Sequence, residues 1–198
     1  DRLGTFARRL DFCYPHQMST LSVELTHLFI SPGHNYYGRH GKGSEDHEIL
    51  EREEIECVSG RGLVDDRFFD YKEDYKGQIT LFDYSTYQRV MREFAIPDLQ
   101  PSAFRRNVVV KGAYLNKLIG KDFTLGVIEL SGSEEAKPCY WMDEACAPGE
   151  LFRPRYQPAG IWLEVTAVDS QVGGDGDGDE QKIVVHKNNP LAGGRRRR

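Results

Sequence analysis

The sequence predicts a mainly β domain, a barrel or sandwich of mostly antiparallel strands with a few short helices. Three observations carry that prediction: short runs rich in Val, Ile, Leu and Phe, a single segment with sustained helical spacing, and 20 glycines among 198 residues that punctuate the runs. Residues 1–21 keep neither helical nor alternating periodicity for long and read as an irregular N-terminal extension. From Ser22 a strand-like run reaches Ile30 and is stopped by Pro32-Gly33. The loop from His34 to His47 follows, too glycine-rich for a regular element and too rich in Tyr and His for a plain linker. Further strands are expected at Ile55 to Val58, Gln78 to Phe82, Asn107 to Lys111, Phe123 to Leu130, Ile161 to Val168 and Lys182 to His186. Tyr84, Tyr87, Val90, Met91 and Phe94 fall three or four apart and predict a helix, with Asp83 or Ser85 as its N-cap and Pro97 beyond its end. A shorter turn and helix is expected over Ala113 to Ile119, and the acidic stretch Gly173 to Glu180 as an exposed loop between the last two strands. The β domain is thus expected to span residues 22–190, followed by a disordered basic tail at 191–198.

Charge narrows the partners. The chain has 26 basic and 31 acidic side chains, net −5, and without Arg195 to Arg198 the balance becomes 22 against 31, or −9. An acidic body argues against nucleic acid. No run approaches the roughly 20 consecutive apolar residues of a spanning helix, so no membrane partner is expected. The first residue is Asp1 with no hydrophobic signal core behind it, and four cysteines make no disulfide scaffold. A trimmed or processed chain in a reducing cytoplasmic setting is therefore expected.

Several motifs fail on inspection. Gly38 to Gly43 reverses the dinucleotide glycine order, and Gly60 to Asp65 lacks the third glycine and a following helix. Gly33 and Gly38 have P-loop spacing, but Arg39 and His40 stand where Lys and Ser or Thr belong. In a calcium loop counted from Asp175, Glu180 and His186 occupy the positions of the required Gly and bidentate Glu. No histidines form HExxH and no cysteine pair has zinc spacing. Two constellations remain. In the first, Asp65 to Phe69 and Phe104 to Val110 supply Arg67, Arg105, Arg106 and Asn107: guanidinium forks and an amide that suit a phosphate or a pterin edge, or else an ion pair from Asp66 that pins two strands. In the second, Cys139 follows a proline and lies between Lys137 and a helical turn beginning near Tyr140. A nearby ammonium and helix N-terminal amides favour a thiolate that attacks or binds a soft metal; the alternative is a buried, inert thiol.

The order of HLFISPGHNYYGRHG, GRGLVDDRFF with KGQITLF, FRRNVVVKGAYLNKLIGKDFTLGVIEL, and PCYWMDEACAPG followed by AGIWLEV resembles the MOSC domain family, over roughly Val23 to Val168. The resemblance implies a MOSC-type β-barrel and a molybdenum cofactor, a molybdopterin, with Cys139 ligating the metal or handling sulfur. By the same resemblance Asp66, Arg67, Arg105, Arg106 and Asn107 match the family's polar pocket, and His34, Asn35 and Tyr36 its N-terminal loop, which would line the substrate entrance as far as His40. The implied activity is an oxidoreductase that reduces small N-hydroxylated substrates with electrons from an external donor. Sulfur transfer through a Cys139 persulfide from a sulfur donor, or a non-catalytic cofactor carrier, are the alternatives. Three positions depart from the family pattern: Asp65 stands where the Gly-Asp-Arg signature usually has glycine, Ala136 where many relatives have a first cysteine, and Ala159 where a Gly-Gly pair is common. Asp65 adds a carboxylate near an anionic cofactor, and Ala136 removes any resolving thiol three residues from Cys139.

Overall fold

The computed structural model describes residues 9–14, 17–36, 42–73, 75–126, 128–136, 140–146, 162–167 and 182–187. They form eleven strands, two α-helices and two 3₁₀ turns: β1 (Arg9–Tyr14), β2 (Gln17–Ile30), β3 (Leu50–Glu51), β4 (Glu54–Val58), β5 (Gly62–Leu63), β6 (Ile79–Asp83), α1 (Tyr84–Glu93), the turn Pro101–Phe104, β7 (Val108–Lys111), the turn Leu115–Leu118, β8 (Asp122–Leu125), β9 (Ile128–Glu135), α2 (Tyr140–Cys146), β10 (Trp162–Ala167) and β11 (Lys182–His186). The mainly β expectation with few helices holds. One sheet runs β1-β8-β9-β10-β6-β7-β2-β3, with an additional β1–β2 pairing, and a smaller one runs β11-β4-β5. β6 and β7 pair in parallel, and the other pairings between these strands are antiparallel.

The period of two decides what the central strands bury. Val108 and Val110 of β7, with Ile79 and Leu81 of β6, enter one apolar cluster together with Leu28 and Phe123. Val109 and Phe82 enter a second, with Phe104, Val90 of α1 and Met142 of α2. Both faces of β6 and β7 are therefore covered, which explains why these strands read as unbroken apolar runs. The helix α1 starts where Asp83 accepts the Ser85 N–H at 3.1 Å, and it buries Tyr87 and Val90 against the second cluster.

Two expectations are corrected. Residues 9–14 and 17–21 are strand, not irregular extension: β1 and β2 pair from Arg9↔Glu24 to Tyr14↔Gln17. The alternation of Leu10, Phe12 and Tyr14 covers only six residues, and its pairing with β2 and β8 supplies the hydrogen bonds that such a short pattern does not announce. The run Phe123 to Leu130 is two strands, because Gly126 takes φ +64° and turns β8 into β9 with Leu125 opposite Ile128. Among the described residues no helix is long and apolar enough to cross a membrane. The acidic Gly173 to Glu180 loop, Ala159 and the basic tail lie outside the described residues.

Candidate functional site

The end of β2, the loop after β5, strand β6, the Pro101–Phe104 turn and the start of β7 meet around one carboxylate. Asp66 is held by its backbone N–H on Leu63 O at 3.1 Å, and its side chain has no solvent exposure. Its Oδ2 accepts from the Ser31 N–H at 3.1 Å, Asn107 Nδ2 at 3.1 Å and Arg67 Nη1 at 3.5 Å, and its Oδ1 accepts from the Phe68 N–H at 3.1 Å. The residue before it, Asp65, is exposed and left-handed at φ +64°. Asp tolerates that conformation better than most residues, so it serves where glycine usually stands and its carboxylate stays outside the buried network.

Asn107 is the second hub. Its Nδ2 donates to Phe29 O at 3.2 Å and to Asp66, while its Oδ1 accepts from Thr80 N at 3.1 Å and Thr80 Oγ1 at 2.8 Å. Thr80 Oγ1 in turn accepts from the Asn107 N–H at 3.0 Å. An amide has two donors and about four acceptor and donor sites in all, so Asn107 is saturated inside the protein, as Asp66 nearly is. Both side chains thus spend their hydrogen-bonding capacity within the protein. The ion pair of Asp66 is with its own neighbour Arg67 and so does not pin two strands, the alternative the sequence left open.

Arg67 donates through Nη2 to the Arg105 carbonyl at 3.2 Å. Arg105 is left-handed at φ +52°, closing the 3₁₀ turn, and β7 begins only at Val108. Arg105 and Arg106 therefore precede the strand. Arg105 Nη2 donates to Ser31 Oγ at 3.1 Å and to Gly33 O at 2.9 Å, and its Cζ lies 5.7 Å from the Tyr36 ring centre. Arg105 Nη1 is buried with no hydrogen-bond partner among the described residues. Burial, then the charge of Arg67, pushes the Arg105 guanidinium down to about 10, with Arg106 adding to the fall. Burial also lowers Arg67, against the pull of Asp66.

Aromatic rings flank the guanidiniums. His34 meets Phe68 edge-on at 4.9 Å and Tyr71 at 6.0 Å, and Phe68 stacks on Tyr75 at 5.2 Å. Burial and the Arg67 charge lower the His34 pKa, so its imidazole is neutral near pH 7. On the other side Tyr36 stacks on Trp141 of α2 at 4.9 Å. Asn35, matched to the family's N-terminal loop, clamps that loop: its side chain donates to His47 O at 3.1 Å and accepts from the His47 N–H at 2.8 Å. Loop residues 37–41, and with them His40, lie outside the described residues, as does Cys139, which precedes Tyr140 at the start of α2. Ala136 is buried in the second core cluster with Met142 and Cys146. Cys57 and Cys146 are buried, and burial pushes the Cys57 thiol up to about 12. Among the described residues no group of three or more His, Cys, Asp and Glu is placed to hold a metal.

Ser31 and Thr80 were not singled out by sequence. Each is a hydroxyl in or just after an apolar strand, a pattern whose only signal is a buried polar group that must find a partner.

Comparison with known proteins bears on the fold and the family. No curated protein matches the chain. A crystal structure of a hypothetical protein, 12% identical, aligns at a TM-score of 0.52 over 90% of this chain and 64% of that one. The YuaD protein of Bacillus subtilis, 13% identical, aligns at 0.53 over 84% of this chain and 94% of its own. YiiM from Escherichia coli, 16% identical, aligns at 0.47 over 70% of this chain and 62% of its own. The chain thus spans under two thirds of the first and third of these proteins. The family model of the MOSC domain matches residues 66–167, from the buried carboxylate of the network to the end of β10. That match takes in more than half of the 198 residues, and the chain belongs to the MOSC domain family.

Proposed function

We propose that the chain binds a molybdenum cofactor and acts as an oxidoreductase on small N-hydroxylated substrates. The observation that carries this reading is the Arg105 Nη1 group, buried without a partner among the described residues beside the charge of Arg67. Two guanidiniums that repel one another and hold a spare donor fit an anionic group, such as the phosphate of a pterin cofactor. Arg105 and Arg67 would bind that group, with Arg106 adding charge, while Asp66 and Asn107 hold the arginines in place. Cys139, which the family resemblance assigns as the metal ligand, precedes Trp141 by two residues, and Trp141 stacks on Tyr36 beside Arg105. When bound, the cofactor would supply two-electron redox chemistry. Breaking the N–O bond of an N-hydroxylated amine consumes two electrons from an external donor and two protons, and releases water. The aromatic rings of His34 and Tyr36 would line the approach. For the fold we infer the family's barrel, supported by the β1–β2 pairing, which joins the edge strand β1 to the strand next to the opposite edge of the large sheet.

The test is elemental analysis of protein made in a cofactor-competent host, with about one molybdenum per chain expected. Cys139→Ser should lose the metal with its circular dichroism unchanged. Retention of metal in Cys139→Ser would favour a carrier. Absence of metal together with a mass increase of about 32 Da on Cys139 would favour sulfur transfer, a step for which Ala136 leaves no neighbouring resolving thiol.

A further inference from the structure

We propose that Ser31 is a positioning residue that locks the Arg105 guanidinium so that it offers Nη1 to a phosphate-type oxyanion. The inference rests on the anion-site reading above. Ser31 is 1% exposed and makes contact with Asp66, Arg67 and Arg105. Its backbone N–H binds Asp66 Oδ2 at 3.1 Å, its carbonyl accepts from the Arg67 N–H at 2.8 Å, and its Oγ accepts from Arg105 Nη2 at 3.1 Å. The same hydroxyl donates to Gly33 O at 3.3 Å, and Gly33 O accepts the second Nη2 proton at 2.9 Å.

Both protons of Nη2 are thereby consumed. With Arg67 on the Arg105 carbonyl and Tyr36 beneath the Arg105 guanidinium, side chain and backbone are fixed together. A planar fork held by one nitrogen cannot turn, so the opposite nitrogen, Nη1, buried without a partner among the described residues, is a donor left to meet an anion. A lysine at this position has a single ammonium and cannot hold the lock and the anion in the same way. Ser31 would act through Arg105, without touching the ligand.

Inorganic phosphate is the probe, titrated by calorimetry into the full chain. Ser31→Ala should weaken phosphate about tenfold, the effect of losing one hydrogen bond to a charged group. Arg105→Lys should weaken it at least as much, and adding Ser31→Ala to Arg105→Lys should change nothing further, because the lock then has no guanidinium to hold. A residue that only stabilised the fold would instead cost the same factor in both backgrounds. Wild-type affinity in Ser31→Ala, or equal losses in both backgrounds, overturns the proposal. Should Ser31→Ala fail to fold, Ser31→Cys keeps the size with a weaker acceptor and carries the same comparison. A wild-type chain that binds no phosphate overturns the lock and the anion site together, whereas molybdenum content decides the cofactor reading separately.

Discussion

Asp66 carries a charge with no solvent exposure, and four hydrogen bonds make that tolerable. Removing one member of a buried pair leaves the other uncompensated, which costs more than the pair contributes. Asp66→Ala strands Arg67, the Ser31 N–H and one proton of Asn107, so a loss of about 3–5 kcal/mol in a denaturant melt is expected. Asp66→Asn should not rescue it, since its amide places a donor against donors. A loss under about 1 kcal/mol would mean that the network relaxes around the gap. The chemistry of Asp66, Arg67, Arg105 and Asn107 was legible in the sequence as guanidiniums beside an amide. The saturation of Asp66 and Asn107 inside the protein was not, because Asn107 meets Asp66 across 41 residues and Thr80 across 27. Saturation of a side chain depends on such distant partners and has no local signature.

Elements with local causes were read well and those with distant causes poorly. The α1 helix has its cap and its apolar spacing within a dozen residues, and it forms where both predict. β1 depends on partners in β2 and β8, so its residues gave no convincing pattern. The joint between β9 and the Leu115–Leu118 turn is another distant cause. Gly132 N donates to Lys121 O at 2.9 Å and Gly132 O accepts from the Gly120 N–H at 2.7 Å, which brings the turn onto the strand. A Cβ at Gly132 would stand 2.1 Å from Leu118 O, a backbone atom that cannot rotate away. Gly132→Ala should therefore cost about 3 kcal/mol or more by thermal unfolding. Gly43→Ala, which meets nothing within 4 Å, is the control and should stay within about 0.5 kcal/mol of the wild type.

At the scale of the whole molecule, an acidic chain of net −5 carries a partly buried cluster of arginines, and the two distributions set how stability responds to pH. Arg105 lies below its ordinary 12.5, at about 10, chiefly by burial, so in the folded protein its charge is a cost fully present at all pH below about 10. That cost does not vary near neutrality. His34 does vary there: burial, then Arg67 and against them Asp66, hold its imidazole below the ordinary 6.5. As pH falls through 6.5 the unfolded chain takes up this proton before the folded one does. The unfolded state then binds more protons, and stability falls with pH until the folded imidazole also titrates. Glu51 acts lower: burial pushes its pKa up, but hydrogen bonds from Lys187 and His27 outweigh this and hold it below 4.5, so its contribution is lost only in stronger acid. The two windows separate the groups. Between about pH 7 and about pH 5 the decline in melting temperature should be carried in large part by His34, and His34→Gln, which cannot take the proton, should flatten it. An unchanged slope in His34→Gln would show that the imidazole keeps its ordinary affinity for protons and that the arginines beside it do not repel its charge.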